Sequence, residues 1–477
     1  MIVMKFGGSS VANAERIRHV ADIVRSRLER KPVLVLSAMG DTTDHLLEAG
    51  NDAYRKGIVS IGRIEKLHHT TMKALKFSAA ARKNINPLLE ELRSLLVGIS
   101  LIRELTPRTT DYLVSFGERL SVRIVAAWLN SVRIKAEAFD SWQVGFVSDS
   151  GYQSAELIRE SWNLIPEKII PLTEAGLVPV VTGFIARDVN SNITTLGRGG
   201  SDLSATMIAA SCGADEAQVW KDVDGILTAD PRIVKDARPV ETVTYDEASE
   251  MAYFGAQVLH PRAMQPCMKT GTPVLVKNSY NPEAPGTRII PSLEKKAPVR
   301  TITSRRNVTL VDIVSTRMLG QYGFLAEVFS AFARRSLSVD MVATSEVSVS
   351  LTLDAAHDLT ELKKDLSRIA SVEIRTGRAI VTIIGNVRRS SEILARAFRT
   401  CQIIGVPVQM VSQGASKVNI SFIVDDVEAA EVVRALHLDF FSSLDIREKK
   451  PAAAPAGKKA PPAAAKARQG LPRKESS

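Results

Sequence analysis

The stretch TTLGRGGSD, residues 194–202, holds three glycines within four positions and continues into DLSATMIAASCG, a run of small and apolar residues. Glycine adopts backbone angles that residues with a Cβ avoid, so this stretch can fold tightly around a ligand. The run after it predicts a helix ending at Gly213. A glycine loop before a helix N-terminus presents free N–H groups to an anion. The alternative is a tight turn in which Ser201 or Asp202 only caps the helix. The loop by itself favours neither interpretation.

Five nearly continuous apolar runs predict buried strands. They are IVMKF (2–6), PVLVLS (32–37), VPVVTGF (178–184), EAQVWKDV (216–223) and TPVLVKN (272–278). Strands with this profile are usually covered on both faces, as in a parallel sheet. Amphipathic stretches such as residues 13–30 separate them, and residues 60–106 are interpreted as a helical insertion. The alternation predicts an α/β sandwich with ligands at the carboxyl ends of its strands.

A second pattern begins after residues 280–297, a segment rich in proline and charge, and then repeats. Two units of similar length each follow the order strand, helix, strand, strand, helix. The first has strands 308–315, 338–345 and 347–354 and helices 323–336 and 359–370; the second has strands 379–386, 407–414 and 417–425 and helices 390–405 and 427–441. Since each unit has only a small core, the two are expected to pack side by side.

Most of the net charge of +10 lies in one terminal segment, which argues against a nucleic-acid-binding fold. Residues 449–477 carry eight Lys or Arg and one Glu, or +7, and leave only +3 for the rest of the chain. This segment is rich in proline and alanine and has no apolar periodicity. It is predicted to be disordered because it cannot bury a core.

Other features of the composition exclude several protein classes. Cys212, Cys267 and Cys401 are widely spaced with no CxxC pair, so neither a disulfide framework nor a zinc site is expected. No apolar run reaches the roughly 18 residues of a membrane span. The N-terminal MIVMKFGGSS is typical of a first strand rather than a signal peptide, so a cytoplasmic location is expected.

Four further loops carry residues suited to binding a phosphate or an amino acid. They are KFGGSS (5–10), SAMGDTTD (37–44), SFGERLS (115–121) and WKDVDGILTADPR (220–232). None has the GxxxxGK[ST] pattern of a P-loop or the GxGxxG pattern of a dinucleotide fold. Plainer interpretations exist: D-G and D-P turns in the last loop, and a Glu118 that only stabilises a helix dipole. The seven histidines show no catalytic spacing, and His68 and His69 are interpreted as surface residues of a helix.

Six motifs, taken in order, resemble those of the amino-acid kinase family and, within it, the aspartate kinases. They are KFGGSSV, SAMGDTTD, SFGERLS, TTLGRGGSD, WKDVDGILTADPR and FGAQVLHPRA. The later stretch GFLAEVFSAFARRSLSVDMVATSEVSVSLTLD is especially similar to ACT regulatory domains of the monofunctional, lysine-sensitive type. The resemblance implies an α/β fold: a three-layer α/β/α kinase domain with a mainly parallel sheet over residues 1–290. Two ferredoxin-like (βαββαβ) ACT domains would follow over 305–378 and 379–448, and could interleave.

The resemblance implies transfer of the γ-phosphoryl group of ATP to the β-carboxylate of L-aspartate, giving 4-phospho-L-aspartate. A carboxylate nucleophile is already an anion, so the reaction needs positive charge and N–H donors more than a general base. By resemblance, Lys5 is expected to bind the transferring phosphoryl group together with Gly7, Gly8 and Ser9. Asp202 is expected to organise that lysine.

The same resemblance assigns residues to the amino-acid substrate. Arg198 is expected to hold the α-carboxylate, since a guanidinium fork matches a carboxylate in two hydrogen bonds. Glu118 is expected to bind the α-ammonium group. The hydroxyls expected to contact substrate or phosphoryl oxygens belong to Ser37, Thr43 and Ser201.

For the nucleotide, the resemblance implies a separate group of residues. Those expected to frame ATP are Lys221, Asp222, Asp230, Arg232 and Gln257. Gln257 departs from several relatives, which carry a lysine there, so weaker contact with the phosphates is expected. Mg²⁺ is expected to arrive with ATP and to be held mostly by phosphates and water rather than by a protein metal site.

The ACT region is expected to bind an amino-acid effector, by resemblance L-lysine, between two chains. The matching positions are Met318, Gln321, Phe324, Leu325, Val339, Asp340, Ser345 and Glu346. A carboxylate such as Asp340 or Glu346 suits a cationic ligand, whereas Gln321 departs from the small hydroxyl residue usual there. The alternative is that the two modules bind no effector and only assemble a dimer.

The function implied is the first step of lysine, threonine and methionine biosynthesis, with feedback inhibition by lysine. The expected partners are aspartate, ATP, lysine and a second copy of the chain in a homodimer or larger homo-oligomer; no membrane, specific nucleic acid or fused dehydrogenase is expected. Two alternatives are a kinase of the same fold that acts on another carboxylate and a catalytically idle amino-acid-binding regulator. The combination of Arg198 and Glu118 argues against the first, and the presence of Lys5 and Asp202 against the second.

Overall fold

The structure is a computed structural model that describes residues 1–254, 259–293, 299–315, 322–354, 358–385, 389–413 and 418–442. Within these residues, no helix combines the length and apolar character needed to cross a membrane. Gln257, Met318, Gln321 and the basic segment 449–477 lie outside the described residues.

The N-terminal domain, residues 1–290, is built on a large sheet and a small one. Its strands are β1 (Ile2–Phe6), β2 (Pro32–Leu36), β3 (Ala136–Phe139), β4 (Val147–Ser148), β5 (Val178–Thr182), β6 (Ile185–Asp188), β7 (Ile193–Thr195), β8 (Glu216–Lys221), β9 (Thr242–Thr244), β10 (Val274–Asn278) and β11 (Thr287–Ile290). The large sheet has the order β3-β5-β2-β1-β8-β10-β11-β9, and only the β10–β11 pair is antiparallel. Strands β4, β6 and β7 form the small sheet.

The helices of this domain cover both faces of the large sheet. They are α1 (Ala14–Arg25), α2 (Thr42–Lys56), α3 (Gly62–Ala74), α4 (Ala79–Arg82), α5 (Asn86–Ile102), α6 (Pro107–Ser131), α7 (Ser161–Glu174), α8 (Gly200–Ser211), α9 (Tyr245–Tyr253) and α10 (Pro261–Thr270). Side chains alternate across β1: Ile2, Met4 and Phe6 pack in a core with α1–α3, α5 and α6, whereas Val3 packs with α7–α10. This three-layer arrangement confirms the predicted α/β sandwich.

All five strands predicted from apolar runs lie in the large sheet, and β1, β2 and β5 are buried along their whole length. The short strands β3, β9 and β11 were not predicted, because each offers only three or four residues of pattern. The surface interpretation of His68 was wrong. This side chain on α3 is fully buried, and burial lowers its pKa to about 4.

The C-terminal region, residues 299–442, forms one antiparallel sheet with helices on it. Its elements are β12 (Val299–Val314), α11 (Phe324–Arg334), β13 (Val342–Thr344), β14 (Ser348–Asp354), α12 (Thr360–Leu366), β15 (Ser371–Gly385), α13 (Ser390–Ile403), β16 (Met410–Ser412), β17 (Asn419–Asp425) and α14 (Ala429–Ser442). The strand order is β13-β14-β12-β15-β17-β16. In the described residues three clusters of buried side chains lie along this sheet: one with α11 and α12, one with α13 and α14, and one that includes Phe254 of the N-terminal domain.

The two modules of this region share their central strands. The N-terminal part of β12, residues 299–305, pairs with residues 380–385 of β15, beside β17. The C-terminal part of β12, residues 308–314, pairs with β14 and with residues 371–378. One module is therefore inserted into the other, and the boundary expected at residue 305 falls inside a continuous strand.

The C-terminal region packs directly on the N-terminal domain through the segment between β8 and β9. Ala229 and Val234 of this segment are buried in the core that contains Phe440 of α14. The hydroxyl of Thr228 is 2.9 Å from Nε2 of the buried His437. The segment expected to frame ATP is thus attached to the module that contains α14.

Candidate active site

A cavity of about 520 Å³ lies at the carboxyl ends of β1 and β2, facing the N-terminus of α8. The predicted site residues that line it are Lys5, Gly8, Ser37, Thr43, Glu118, Arg198, Ser201 and Asp202. Parallel strands end at one edge of their sheet, so residues far apart in the chain meet there. This cavity therefore contains residues expected to bind the phosphoryl group and residues expected to bind the amino acid.

The glycine loop ends at the N-terminus of α8, where a glycine is the N-cap residue. This residue is Gly199, with φ of +75°, and no side chain of the described residues caps the helix. A Cβ on Gly199 would lie 2.7 Å from Cβ of His260. The capping interpretation of Ser201 and Asp202 is therefore wrong, since both side chains make other contacts. The hydroxyl of Ser37 donates to that of Ser201 over 3.1 Å.

Asp202 holds two lysine ammonium groups at the bottom of the cavity. Its Oδ1 is 2.6 Å from Nζ of Lys5, and its Oδ2 is 3.7 Å from Nζ of Lys221. Burial raises the pKa of Asp202, but the two ammonium groups outweigh that effect and hold the pKa below its ordinary value. One carboxylate shared by two lysines leaves an excess positive charge, which suits an anionic phosphoryl group.

Glu118 is a buried carboxyl group with one oxygen to spare. It lies on α6, is 3% exposed, and its Oε1 accepts a hydrogen bond from the backbone N–H of Ala38 over 3.0 Å. Oε2 has no hydrogen-bond partner among the described residues. Burial raises the pKa of Glu118 to about 8, against the opposing effects of that N–H and of the Lys5 ammonium. A buried, incompletely bonded carboxyl group is costly unless a ligand completes it.

Arg198 lies at the mouth of the cavity, between Gly197 and Gly199. Its side chain is exposed and forms no ion pair with a carboxylate of the described residues. The guanidinium group is therefore available to a ligand. With Glu118 it offers opposite charges to a molecule that carries both an ammonium and a carboxylate group.

Asp111 was not predicted, although it holds two walls of the cavity together. It lies on α6 two turns before Glu118, hence on the same helix face, and is 1% exposed. Its carboxylate accepts hydrogen bonds from N and Oγ1 of Thr195, over 2.8 and 2.9 Å, and from N of Gln153. Thr195 ends β7, directly before the glycine loop, so Asp111 sets the position of Arg198 relative to Glu118.

Phe184 is a second residue that sequence reasoning missed. It lines the cavity with φ of +68°, a left-handed conformation that is unusual for a side chain of this size. Its N–H donates to the hydroxyl of Ser204, and its carbonyl accepts from N of Leu196. These bonds hold the strained residue against the glycine loop. No sequence signal marks a phenylalanine for this conformation.

Comparison with known proteins agrees with this geometry. A model of the amino acid kinase family matches residues 1–278, and an ACT domain model matches residues 311–358 and 381–440. The chain is 50% identical to aspartokinase 1, chloroplastic, of Arabidopsis thaliana, over 94% of its own length and 81% of that protein. This chain belongs to the aspartokinases of the amino acid kinase family. Its activity is ATP-dependent phosphorylation of aspartate.

A further relative and two crystal structures are similar to this aspartokinase over most of its length. The chain is 35% identical to lysine-sensitive aspartokinase 3 of Escherichia coli, over 92% of this chain and 99% of that one. The crystal structures of E. coli aspartokinase III with aspartate and ADP, and with lysine and aspartate, each match with a TM-score of 0.77 and 33% identity. Each match covers 92% of this chain. It covers 100% of the matched chain in the first structure and 99% in the second.

The residues expected at the nucleotide are more dispersed in this aspartokinase. Lys221 reaches the cavity through its contact with Asp202. Asp222 is exposed, and Asp230 pairs with Arg232, Nη2 to Oδ2 over 2.6 Å. Asp222, Asp230 and Arg232 do not line the cavity. Gly7 and Ser9, which flank Gly8 in the turn after β1, do not line the cavity either.

The expected effector residues are distributed over the module that contains α11. Phe324 and Leu325 begin α11, and Ser345 and Glu346 form the turn between β13 and β14. Val339 packs against the core that contains α11 and α12. Asp340 faces the N-terminal domain instead: its carboxylate accepts from the hydroxyl of Tyr253 over 2.8 Å and lies 3.1 Å from Arg305.

No group of three or more His, Cys, Asp or Glu side chains suited to a metal ion occurs in the part of the chain that the structure describes. A magnesium ion that enters with the nucleotide would find Asp202 already engaged by two ammonium groups. The described side chains thus offer Mg²⁺ few free ligands. Phosphate oxygens and water are its usual partners in such sites.

Proposed function

We propose that this aspartokinase catalyses the first step of lysine, threonine and methionine biosynthesis and that L-lysine inhibits it. Phosphorylation of the β-carboxylate gives 4-phospho-L-aspartate. The observation that carries the proposal is the cavity in which the unsatisfied carboxyl group of Glu118 and the free guanidinium of Arg198 lie beside Lys5. An amino acid with an acidic side chain matches all three groups.

We infer that Glu118 and Arg198 orient the substrate. Arg198 binds the α-carboxylate in two hydrogen bonds, and Glu118 binds the α-ammonium group. The hydroxyls of Ser37, Thr43 and Ser201 line the same cavity and donate to the remaining oxygens. With the α-groups held in this way, the β-carboxylate faces the ammonium group of Lys5. Fixing the nucleophile in this position lowers the entropic cost of reaction.

The phosphoryl group is then stabilised by fixed positive charge. Lys5 and Lys221 neutralise charge on the phosphoryl oxygens, while Asp202 keeps both side chains in place. The backbone N–H groups at the start of α8 and in the turn at Gly7 and Gly8 add hydrogen bonds. Mg²⁺ would accompany ATP and would supply further positive charge at its phosphates. No residue is required as a strong base, because the attacking carboxylate carries no proton.

Inhibition by lysine is proposed to act through the C-terminal region. Lysine would bind in a dimer at the expected positions, with its cationic group at the exposed Glu346, because Asp340 already pairs with Arg305. The E. coli structure with lysine supports this ligand. The segment that carries Asp230 and Arg232 packs on α14, so a shift of the C-terminal region would move residues expected at the nucleotide. Lysine inhibits only if it binds the less active arrangement more tightly.

The cellular compartment stays a prediction. The N-terminus of the sequence predicts the cytoplasm, but the Arabidopsis relatives are chloroplastic proteins by name. Fractionation of the source cells would distinguish the two compartments.

The test is an assay of purified protein with ATP, Mg²⁺ and L-aspartate, in which hydroxylamine traps the acyl phosphate. The expected result is a hydroxamate that forms with aspartate and decreases as L-lysine is added to millimolar concentration, an order of magnitude near typical small-ligand affinities. Product from glutamate or N-acetylglutamate, but not from aspartate, would contradict the assignment of the substrate. Activity that lysine leaves unchanged would contradict only the effector.

A further inference from the structure

A second cavity, of about 480 Å³, lies beside α6 and next to the hairpin of β6 and β7. The residues of this arginine cavity that matter here are Glu91, Arg108, Arg119, Trp142, Arg187 and Asn192. The first half of the chain is otherwise close to electrical balance, so three arginines against one lining carboxylate is an unusual concentration of charge. None of these residues lines the candidate active site.

Only one of the three guanidinium groups is neutralised within the cavity. Arg119 lies 3.2 Å from Oε1 of Glu91, which also accepts a hydrogen bond from the hydroxyl of Tyr112. Arg108 and Arg187 form no ion pair with any carboxylate of the described residues. The cavity therefore keeps two uncompensated positive charges.

Arg187 is fixed in position although its charge has no partner. Its guanidinium group stacks on the ring of Trp142, 4.4 Å from the centroid. Its Nε is buried and has no hydrogen-bond acceptor among the described residues. The donors of a solvated surface arginine are hydrogen-bonded to water. Here the Trp142 ring fixes the guanidinium group of Arg187 at the cavity while its Nε has no acceptor. This is the arrangement that a bound anion completes.

The helix places the other two arginines on the same side. Arg108, Tyr112 and Arg119 are separated by four and seven residues, so they share one face of α6. Asn192, in the turn between β6 and β7, lies on the opposite wall with Arg187, and its Nδ2 donates to Oδ2 of Asp188 over 3.2 Å. Two rigid elements thus present donors to one space, which is more specific than a charged surface patch.

We propose that this arginine cavity is a second binding site, for a small molecule that carries at least two anionic groups. Arg108 and Arg187 would each bind one phosphate or carboxylate group, and Trp142 would cover the ligand's apolar or planar part. Phosphate and carboxylate groups both accept two hydrogen bonds from a guanidinium group. The feature that the proposed ligands share is therefore a pair of negatively charged groups. A bound anion would contact α6 and the β6–β7 hairpin, which are the elements that carry Glu118 and lead to Arg198.

The test is calorimetric titration of the full chain with inorganic pyrophosphate and, separately, with citrate, in the absence of nucleotide. We expect saturable binding that the double variant Arg108→Gln, Arg187→Gln weakens by about tenfold or more, because each lost fork removes charge-assisted hydrogen bonds. Binding of pyrophosphate but not citrate would assign the ligand to phosphates, and the reverse would assign it to carboxylates. Arg159→Gln, which removes an exposed arginine outside the cavity, is the matched control and should bind as the unmodified protein does.

Because the candidate active site also attracts anions, the titrations are repeated with Arg198→Gln. Binding that persists in Arg198→Gln and is lost in the double variant supports a separate site, whether or not aspartate is the kinase substrate. Binding that is lost in Arg198→Gln and unchanged in the double variant would overturn the proposal, as would no saturable binding of either anion. Should the double variant fail to fold, Arg108→Gln alone serves, since that side chain is exposed.

Discussion

The buried carboxyl group of Glu118 predicts a specific dependence of aspartate binding on pH. Burial raises its pKa to about 8, so in the free enzyme the group is mostly protonated at neutral pH. A protonated carboxyl group cannot form an ion pair with the α-ammonium of aspartate. Binding must therefore improve as the pH rises toward 8, which is the reverse of the behaviour of an ordinary exposed glutamate that is ionised from about pH 5 upward.

The size of the effect follows from the ionised fraction. With a pKa of about 8, roughly one molecule in ten carries the carboxylate at pH 7 and roughly one in a hundred at pH 6. The value of kcat/KM for aspartate is thus expected to rise about tenfold from pH 6 to 7 and about fivefold from pH 7 to 8, and to level off above roughly pH 9. In Glu118→Gln the rise should disappear. At pH 8 the variant should be about a hundredfold less efficient, because a lost buried charge pair costs about 3 kcal/mol.

The assay is steady-state release of ADP at saturating ATP and Mg²⁺, with aspartate varied at each pH. Glu250→Gln is the matched control, because Glu250 is a partly buried carboxyl whose pKa burial also raises, but it pairs with Asn419 of the C-terminal region. This variant should keep the slope of the unmodified enzyme. A kcat/KM for aspartate that does not change between pH 6 and 8, or a slope that survives in Glu118→Gln, would refute the reasoning.

Three further substitutions test the remaining contacts. Asp202→Asn should lower kcat by about 10²- to 10³-fold with little change in the KM for aspartate, because it releases Lys5 from its position at the phosphoryl group. An unchanged kcat would show that Lys5 does not depend on Asp202 for its position. Arg198→Lys should raise the KM for aspartate far more than the KM for ATP, since lysine lacks the fork; equal effects on both would argue against the substrate role. Asp111→Asn should raise the KM for aspartate several-fold and lower the free energy of unfolding by about 1–3 kcal/mol, because Thr195 loses a charged acceptor; lost stability with an unchanged KM would reduce Asp111 to a structural residue.

The sequence predicted the fold well where the chain gives a continuous signal. Runs such as 2–6 and 32–37 are apolar throughout because both faces of the sheet are covered, and all of them became strands. The repeated pattern after residue 300 predicted the elements of the C-terminal region, but not that β12 and β15 each run through both modules. Polar residues at 305–307 and 375–378 interrupt the apolar pattern of β12 and β15 where each strand passes between the two modules. In the sequence, such an interruption looks the same as a turn between two separate strands.

The candidate site was predicted through motifs, and its supporting residues were not. Lys5 lies in β1, Glu118 in the middle of α6 and Asp202 in the first turn of α8, and each belongs to a motif that the resemblance covers. Asp111 has no motif of its own, and only its spacing of seven residues from Glu118 on one helix could have drawn attention to it. His68 was misjudged for a related reason, since a polar residue in an amphipathic helix gives no sign of which neighbours cover it.

The sequence by itself determined which chemical groups this protein has at the ends of its strands, and in which order. Only the tertiary structure decided their states: that Asp202 holds two lysines rather than capping α8, and that Glu118 keeps an unused oxygen. The tertiary structure also decided that Arg187 points its charge into a second cavity. The reason is physical. A residue's type is local to the chain, whereas its burial, charge pairing and hydrogen bonds depend on neighbours in space. Such neighbours often lie a hundred residues or more away in the sequence, as Lys5 does from Asp202.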